Sequence, residues 1–309
     1  MAVTDFIKKT GERSFHRNAQ EVYDGTRRRL APKKSPGPSV YEYNWDVLVI
    51  LDACRPDTFQ TVGRPFVEES DVMELVEERT VTSIASQSYE WLTRTFLENY
   101  CLDVSQTAYV TANVYAAKAF DGQTGRHPFF ELEEVWRTDW DEESGTIPAE
   151  AVTEAAKPYV DVENNESGPE KVIVHYMQPH FPSIPDPITE QQTPVEFGYT
   201  GQQIKFAWNK LQDREVSEQR VRESFQNNLR YVLESVEELV EESSGKVVLS
   251  SDHGQSFGEW GVYGHPPSTA MKQVLEVPWV VVQEPSKRVH EKTESHDHVD
   301  EKLAALGYK

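Results

Sequence analysis

Short apolar runs alternate with longer amphipathic stretches along this chain. Val47–Leu51 is an apolar run that ends abruptly at Asp52, and comparable runs occur at residues 171–176, 246–251 and 276–282. Apolar runs of this length, bounded by charged residues, glycine or proline, are typical of strands that are buried on both faces. The sequence therefore predicts a set of buried strands.

Helical periodicity separates these strands. A long amphipathic helix is predicted over residues 216–242, and Gly245 is expected to close it. Shorter helices are predicted at residues 89–97 and from residue 148, and a further strand at residues 107–116. This alternation predicts an α/β fold, a three-layer α/β/α sandwich around a mostly parallel central sheet.

Charge narrows the classes of partner. The 309 residues include 31 Lys and Arg against 52 Asp and Glu, a formal net charge of −21. So strong an acid excess would repel the phosphate backbone, so we expect no general binding of nucleic acid. Carboxylates also keep the surface hydrated in proteins of salt-loving organisms, so we expect a halophilic source.

Cysteine content and hydropathy indicate the compartment. Cys54 and Cys101 are the only cysteines in the sequence, too few for a disulfide framework. No run approaches the roughly 18 apolar residues of a membrane span. The N-terminus also lacks the apolar core of a signal peptide. These features predict a cytoplasmic protein.

The chain divides into three parts. Residues 1–44 form a basic arm and linker, with nine Lys and Arg against four acids in residues 1–34. Such an arm is expected to contact an acidic surface, either a lipid headgroup layer or the protein's own body. Residues 45–285 are expected to form the main domain, and residues 286–309 a charged tail for which a short helix is predicted.

Two of the predicted strands end in side chains that commonly bind metals. Asp52 follows the first strand, and Asp252 and His253 follow the strand at residues 246–251. Open α/β sheets bind ligands at the carboxyl ends of their strands, so we expect these side chains to converge. Carboxylate and imidazole groups together suit a divalent cation, Mn²⁺ or Zn²⁺ first and Mg²⁺ or Ca²⁺ as alternatives.

A small polar loop before the helix at residues 89–97 offers a nucleophile. Ser86 is the first candidate and Ser88 the second, and Ser83 and Thr82 compete for the same role. A serine hydroxyl is unreactive unless a base or a metal activates it. The start of a helix would also favour an incoming anion through its free N–H groups.

Histidines in stiff loops complete the candidates. His180 lies between Pro179 and Pro182, and His265 lies in a glycine-rich loop. Imidazoles fixed in this way suit a second metal or hydrogen bonds to substrate oxygens. His175 lies inside a predicted strand and is interpreted as structural.

Several segments, taken in order, resemble the alkaline phosphatase superfamily, and its sulfatase-like branch most closely. They are VLVILDACRPDTF, SIASQSYEWL, IVHYMQPHFP, VVLSSDHGQSFGEWGVYGHP and EVPWVVV, all within residues 45–283. The segment SIASQSYEWL is also similar to the nucleophile segment of the lipoteichoic acid synthases. The resemblance implies an alkaline phosphatase-like catalytic domain over residues 45–285.

The resemblance also assigns roles. It implies a metal bound by Asp52, Ser86, Asp252 and His253. Ser86 would then be the nucleophile, while His180 and His265 match positions that bind a second metal or the substrate's oxygens in relatives. Met177 and Gln178 stand where two-metal relatives are expected to carry a further acid, which argues against a tightly bound second metal.

One segment departs from true sulfatases. Cys54 to Pro56 matches half of the maturation motif Cys/Ser-x-Pro-x-Arg, but Thr58 replaces the required arginine. The nucleophile of formylglycine sulfatases is therefore missing, which favours phosphate over sulfate as the group transferred. The sulfatase-like label would then describe the fold rather than the substrate.

These features predict a metal-dependent hydrolase or transferase of phosphate esters, or of sulfate esters, that acts through a serine nucleophile. The substrate is expected to be a small molecule or a glycan- or lipid-linked ester. A sulfatase that uses an unmodified serine is one alternative. A non-catalytic binding protein that retains the fold is another.

Overall fold

The computed structural model describes residues 34–120, 127–162, 167–188 and 205–285. Most of the basic arm, residues 1–33, and the charged tail from residue 286 lie outside the described residues, so the expectations for both remain predictions. No helix within the described ranges is long and apolar enough to cross a membrane.

The centre of the molecule is a seven-stranded sheet. The strands of the described residues are β1 Val47–Leu51, β2 Glu77–Thr82, β3 Thr107–Thr111, β4 Glu131–Glu134, β5 Lys171–Tyr176, β6 Val247–Ser250, β7 Ser256–Phe257, β8 Tyr263–Gly264 and β9 Glu276–Gln283. The order in the sheet is β2-β9-β6-β1-β5-β3-β4, and β7 pairs with β8 as a separate hairpin. The strands from β6 to β4 are parallel, whereas β9 is antiparallel to both β6 and β2.

Strand β1 lies in the middle of the sheet because it is apolar on both faces. All of its residues are buried. Val47, Val49 and Leu51 belong to the core on one face, and Leu48 and Ile50 to the core on the other. A strand of this kind is stable only where helices cover both sides of the sheet.

Helices provide this cover on both faces. The helices of the described residues are α1 Pro56–Thr58, α2 Arg64–Glu69, α3 Ser88–Thr93, α4 Leu102–Ser105, α5 Tyr115–Phe120, α6 Ala149–Val160, α7 Lys205–Gln212, α8 Glu218–Glu241 and α9 Lys272–Leu275. Helices α6 and α8 pack on the face of Val47, and α3 and α5 on the face of Leu48. The predicted three-layer α/β/α fold with a mostly parallel sheet is confirmed.

The long helix α8 and its exit follow the prediction closely. Ser217 caps its start, since the side-chain oxygen accepts a hydrogen bond from the backbone N–H of Arg220 at 3.1 Å. Gly245 turns the chain into β6 with φ +83°, where a Cβ would lie 2.8 Å from Asp46 Oδ2. The same carboxylate accepts the N–H of Lys246 at 2.6 Å. Only glycine leaves room for this contact.

Strand β3 is shorter than the predicted strand over residues 107–116. It ends at Thr111, whose Oγ1 accepts the N–H of Asn113 at 2.9 Å. Asn113 Oδ1 in turn accepts the N–H of Tyr115 at 3.0 Å, where α5 begins. These side-chain bonds satisfy backbone groups that a longer strand would use, so they end the strand.

Strand β2 and helix α7 are among the elements that the sequence pattern does not predict. Strand β2 is a half-exposed edge strand that pairs only with β9 among the described strands. Helix α7 lies in a segment for which the sequence pattern predicts no helix. Its Trp208 packs against Phe181 and Phe257. Both elements depend on tertiary contacts, which local periodicity does not report.

The buried face of α8 gives a stability prediction. Leu233 is fully buried and belongs to the main core. Leu233→Ala leaves a cavity and is expected to lower the free energy of unfolding by about 2–5 kcal/mol in urea titrations followed by circular dichroism. Leu102 is 76% exposed, so Leu102→Ala is the matched control. Equal losses in the two variants would contradict this assignment of the core.

Candidate active site

Strands β1 and β6 bring three predicted metal residues together at their carboxyl ends. Asp52, Asp252 and His253 are all buried. His253 Nε2 lies 3.3 Å from Asp252 Oδ2 and 3.8 Å from Asp52 Oδ1. The strands are parallel neighbours, so residues that follow them necessarily meet at one edge of the sheet.

The turn after β1 is fastened to the end of β6. Asp252 Oδ1 accepts the N–H of Ala53 at 3.1 Å and that of His253 at 2.9 Å. Cys54 N–H donates to Ser251 Oγ at 2.9 Å. Ala53 has φ +62°, a conformation that is rare for a residue with a side chain. These bonds hold Asp252 through one oxygen and leave the other, Oδ2, facing the site.

The tautomer of His253 follows from a backbone contact. Its Nδ1 lies 2.8 Å from the carbonyl oxygen of Gly254, which can only accept, so Nδ1 carries the proton. In the neutral ring Nε2 then has a free lone pair. That atom is the one that faces Asp52 and Asp252, as a metal ligand requires.

His175 also reaches the cluster, although the sequence analysis treats it as structural. It lies on β5 opposite Ile50 of β1, the neighbouring strand. Its Nε2 is 3.8 Å from Asp252 Oδ2 and 4.0 Å from Asp52 Oδ2, and its Nδ1 is 2.8 Å from the hydroxyl of Tyr109. One ligand atom each of Asp52, His175 and Asp252 lie within 4.8 Å of one another.

The atoms at the centre of this cluster have no hydrogen-bond partner. Asp52 Oδ1, Asp252 Oδ2 and His175 Nε2 are buried and unpaired. Unpaired buried carboxylate oxygens are costly, and native proteins usually satisfy them with a hydrogen bond or an ion. Oxygen and imidazole donors converging in this way fit a divalent cation of the Mn²⁺ or Zn²⁺ type.

Burial and neighbouring charges shift the pKa values of the two acids in opposite directions. Burial and the nearby charge of Asp252 raise the pKa of Asp52 well above its usual value. Burial also acts to raise the pKa of Asp252, but the charges of His253 and His175 outweigh it and lower that pKa. Without a cation, therefore, Asp52 is the acid that keeps a proton more readily.

The two candidate serines have different surroundings. Ser88 Oγ lies 3.4 Å from Asp52 Oδ2 and 3.3 Å from His253 Nε2. Ser86 Oγ instead lies 3.2 Å from Glu90 Oε2 and accepts the N–H of Thr269 at 3.1 Å. The structure thus places Ser88, and not Ser86, beside the acids. The competing Ser83 bonds to the backbone oxygen of Asp252.

Asn113 is a site residue that the sequence analysis misses. It follows the shortened strand β3, and its side-chain amide donates to Asp52 Oδ2 at 3.0 Å. The signal in the sequence is an asparagine two residues after an apolar run. That signal is hidden because residues 107–116 look like one continuous strand.

His180 and His265 meet next to this cluster. Their Nε2 atoms are 3.0 Å apart, and the ring of His265 stacks on that of His253 with 4.3 Å between centroids. His180 Nδ1 lies 2.6 Å from the carbonyl oxygen of Phe181 and therefore carries a proton. His265 Nε2 must then donate to the bare Nε2 of His180. Its Nδ1, buried and unpaired, is left as a proton acceptor.

Burial keeps these imidazoles neutral. It lowers the pKa of His180 to about 4, and the charge of His253 acts in the same direction. The pKa of His265 falls well below its usual value because of burial and the neighbouring histidines. Two neutral rings beside the acids can exchange protons or bind a cation or an ester oxygen.

A family model described as Sulfatase matches residues 94–308, well over half of the chain. The chain belongs to the sulfatase family. The resemblance to the alkaline phosphatase superfamily and its sulfatase-like branch is therefore confirmed. A search of curated proteins gives no match to this sulfatase-family protein.

Solved structures with a similar fold include two from Neisseria meningitidis. The integral membrane protein lipooligosaccharide phosphoethanolamine transferase A has a TM-score of 0.54 at 15% identity, with 92% of this chain and 60% of that chain covered. Its soluble domain has a TM-score of 0.50 at 15% identity, with 81% of this chain and 82% of that chain covered. The sulfatase-family chain thus spans 60% of the full transferase, and the likeness shows the fold.

The buried histidines give a prediction for the metal-free protein. A histidine whose pKa is about 4 in the folded protein and 6.5 in the unfolded chain is protonated in the unfolded chain first. Its contribution to the free energy of unfolding is present above pH 6.5 and is lost as the pH falls towards 4. We expect the stability difference between the wild type and His180→Gln to shrink over this range in urea titrations with a chelator present.

The exposed His127 supplies the control. The stability difference between the wild type and His127→Gln should vary much less with pH. A His180→Gln difference that is constant from pH 6.5 to 4 would contradict the buried, neutral state of His180.

Proposed function

We propose that this protein is a metal-dependent hydrolase or transferase of phosphate esters, with Ser88 as the nucleophile. The observation that carries the proposal is the position of Ser88 Oγ, 3.4 Å from Asp52 Oδ2 and 3.3 Å from His253 Nε2. Ser88 was the second candidate from sequence, and it replaces Ser86 as the nucleophile in this proposal. A hydroxyl next to a base and a cation site is the arrangement that nucleophilic catalysis needs.

Asp52, Asp252 and His253 would hold the cation, with His175 and Ser88 within reach. When bound, the cation supplies a Lewis acid that favours the serine alkoxide and offsets charge on the ester oxygens. Mn²⁺ or Zn²⁺ fits these donors best. The donor set of the proposal differs from that of the sequence analysis by the exchange of Ser86 for Ser88.

The side chains of the site account for the proton transfers. Ser88 loses its proton towards Asp52 Oδ2 and attacks phosphorus. A bond forms between Ser88 Oγ and phosphorus, and the bond from phosphorus to the leaving alcohol breaks. Asn113 donates to Asp52 Oδ2 and so holds that oxygen in place. The proton that Ser88 lost passes from Asp52 to the leaving oxygen, so these steps produce a phosphorylated Ser88 and a free alcohol.

The second half of the reaction transfers the group to water or to an acceptor alcohol. The incoming oxygen bonds to phosphorus and its proton goes to His265 Nδ1, a buried acceptor without a partner. The bond from phosphorus to Ser88 Oγ breaks, and the proton held by His265 restores the serine hydroxyl. The Nε2–H of His265 remains bonded to His180, and His180 is anchored to the carbonyl of Phe181. The pair therefore keeps His265 in the tautomer that can act as a base.

Phosphate is preferred over sulfate on two grounds. The segment from Cys54 to Thr58 lacks the arginine of the maturation motif that formylglycine sulfatases require. The full-length neighbour from Neisseria is a phosphoethanolamine transferase, which is compatible with phosphoester chemistry on this fold. The substrate would be a small-molecule, glycan-linked or lipid-linked ester.

A sulfatase that uses unmodified Ser88 is the second candidate, because the matching family model is named for sulfatases. Parallel assays with an aryl sulfate, an aryl phosphomonoester and bis(p-nitrophenyl) phosphate separate the two activities. We expect the highest kcat/KM on a phosphoester. A higher value on the sulfate would assign the protein to the sulfatases, and no turnover on any ester would favour a binding protein.

The assignment of the nucleophile predicts opposite behaviour of the two serines. Ser88→Ala removes the attacking oxygen and is expected to lower kcat on the best ester of the panel by a factor of about 10³ or more. Ser86→Ala, the matched control, keeps the hydroxyl of Ser88 and should stay within about threefold of the wild type. Full activity of Ser88→Ala with loss in Ser86→Ala would return the role to Ser86.

Cation binding can be tested through thermal stability, without any measurement of turnover. Mn²⁺ or Zn²⁺ added to chelator-treated protein should raise the thermal midpoint, because the cation binds only the folded site. Asp252→Asn should show little of this rise. Asp186→Asn, at an acid that pairs with Arg220 away from the site, is the control and should behave as the wild type. The same rise in Asp252→Asn and the wild type would contradict the assigned ligands.

A further inference from the structure

A cluster of charged side chains lies outside the metal ligands and is not used by the proposed chemistry. Arg55, only 7% exposed, follows Asp52 by three residues. Its Nε and Nη2 bond to both oxygens of Asp57 at 2.8 and 2.7 Å. Its Nη1 bonds to the carbonyl of Gln255 at 3.0 Å and to Glu259 Oε1 at 2.6 Å. Arg55 thus connects the segment after β1 with the segment after β6.

Glu259 uses its other oxygen to fasten the hairpin of β7 and β8. Its Oε2 accepts the hydroxyl of Ser256 at 2.8 Å and the N–H of Phe257 at 2.6 Å. Ser256 is paired with Gly264 in the hairpin. Glu259 therefore binds strand β7, which pairs with β8. His265 follows Gly264, the last residue of β8.

The hairpin itself has little regular structure to hold its shape. Gly258, Trp260, Gly261 and Gly264 all have φ between 57° and 109°. The three glycines adopt these angles without steric cost, so Trp260 is the residue whose conformation must be fixed by surrounding contacts. Phe257 provides one such contact, with the Arg55 guanidinium 5.3 Å from the centre of its ring. Trp208 packs against the same ring, and Glu259 adds its hydrogen bonds to Ser256 and Phe257.

We propose that the Arg55–Glu259 ion pair is a positioning device that fixes His265 against His253 and His180. Arg55 lies in the segment that follows Asp52, and Glu259 lies in the loop of the hairpin that leads to His265. The pair therefore sets the distance between the cation site and the base of the second step. This inference extends the proposed function, on which its catalytic consequence rests.

Charge is essential to this role. Burial acts to raise the pKa of Glu259, but the charge and hydrogen bond of Arg55 outweigh it and lower the pKa to about 2. The carboxylate is thus ionised at any working pH. A neutral amide could still accept the bonds from Ser256 and Phe257, but its NH₂ group would face the guanidinium of Arg55 without attraction.

Glu259→Gln removes the charge of the pair without removing the cap of the hairpin. It also removes the charge that faces Arg222, whose Nη2 lies 3.1 Å from the same Glu259 oxygen, so its effect is compared with that of Arg55→Lys. Asp57→Asn is the matched control, because it makes the same change on the other side of the same guanidinium and leaves the pair with Glu259 intact. Arg55→Lys keeps the positive charge but cannot bond to Asp57 and Glu259 together. It serves as the second variant if Glu259→Gln does not fold.

We expect a change in kcat rather than in KM. In Glu259→Gln, kcat on the best ester should fall about 10- to 100-fold, since misplacing a catalytic group has effects of this size. KM and the rise of the thermal midpoint with Zn²⁺ should stay close to the wild type. Asp57→Asn should keep kcat within about threefold. All assays are done at a temperature where circular dichroism shows each variant to be folded.

The histidine rings give a readout that needs no turnover. In ¹H–¹⁵N spectra of the imidazoles, the signals of His265 should shift in Glu259→Gln and stay in place in Asp57→Asn. Unchanged His265 signals, or equal changes in both variants, would overturn the positioning role. If the wild type hydrolyses no ester, the proposed function fails, while the spectra still decide whether the pair positions His265.

Discussion

The structure depends on two buried carboxylates that point at one place. Asp52 and Asp252 end neighbouring parallel strands, and each has one oxygen that is buried without a hydrogen-bond partner. Two such charges cannot stay close in a buried site without a proton or a cation. The raised pKa of Asp52 favours a proton on that acid when no cation is bound. The lone pair on Nε2 of His253 can instead bind a cation.

The rest of the fold positions these two carboxylates and the side chains around them. The apolar strand β1 requires helices on both faces, so the carboxyl edge of the sheet becomes the open place for ligands. The bonds from Ala53 and His253 to Asp252 hold its carboxylate through one oxygen. The loops after β5 and β8 add His180 and His265, which burial keeps neutral. Ser88, the proposed nucleophile, then lies against the acids.

Part of this site could be read from the sequence because it follows directly from local pattern. Asp52, Asp252 and His253 each come straight after an apolar run, so strand position alone predicts that they meet. Ser88, His175 and Asn113 require more. The choice of serine depends on the turn before α3, and His175 depends on the register between β1 and β5. Asn113 depends on side-chain bonds that end β3, and none of these contacts is local in the sequence.

The central claim is that one divalent cation lies between Asp52 and Asp252. A crystal structure of the protein grown with Zn²⁺, with data collected on both sides of the zinc absorption edge, locates that ion directly. We predict a strong anomalous peak within bonding distance of Asp52, Asp252 and the Nε2 of His253, with Ser88 beside it. A zinc-loaded crystal with no anomalous peak between these carboxylates would contradict the claim.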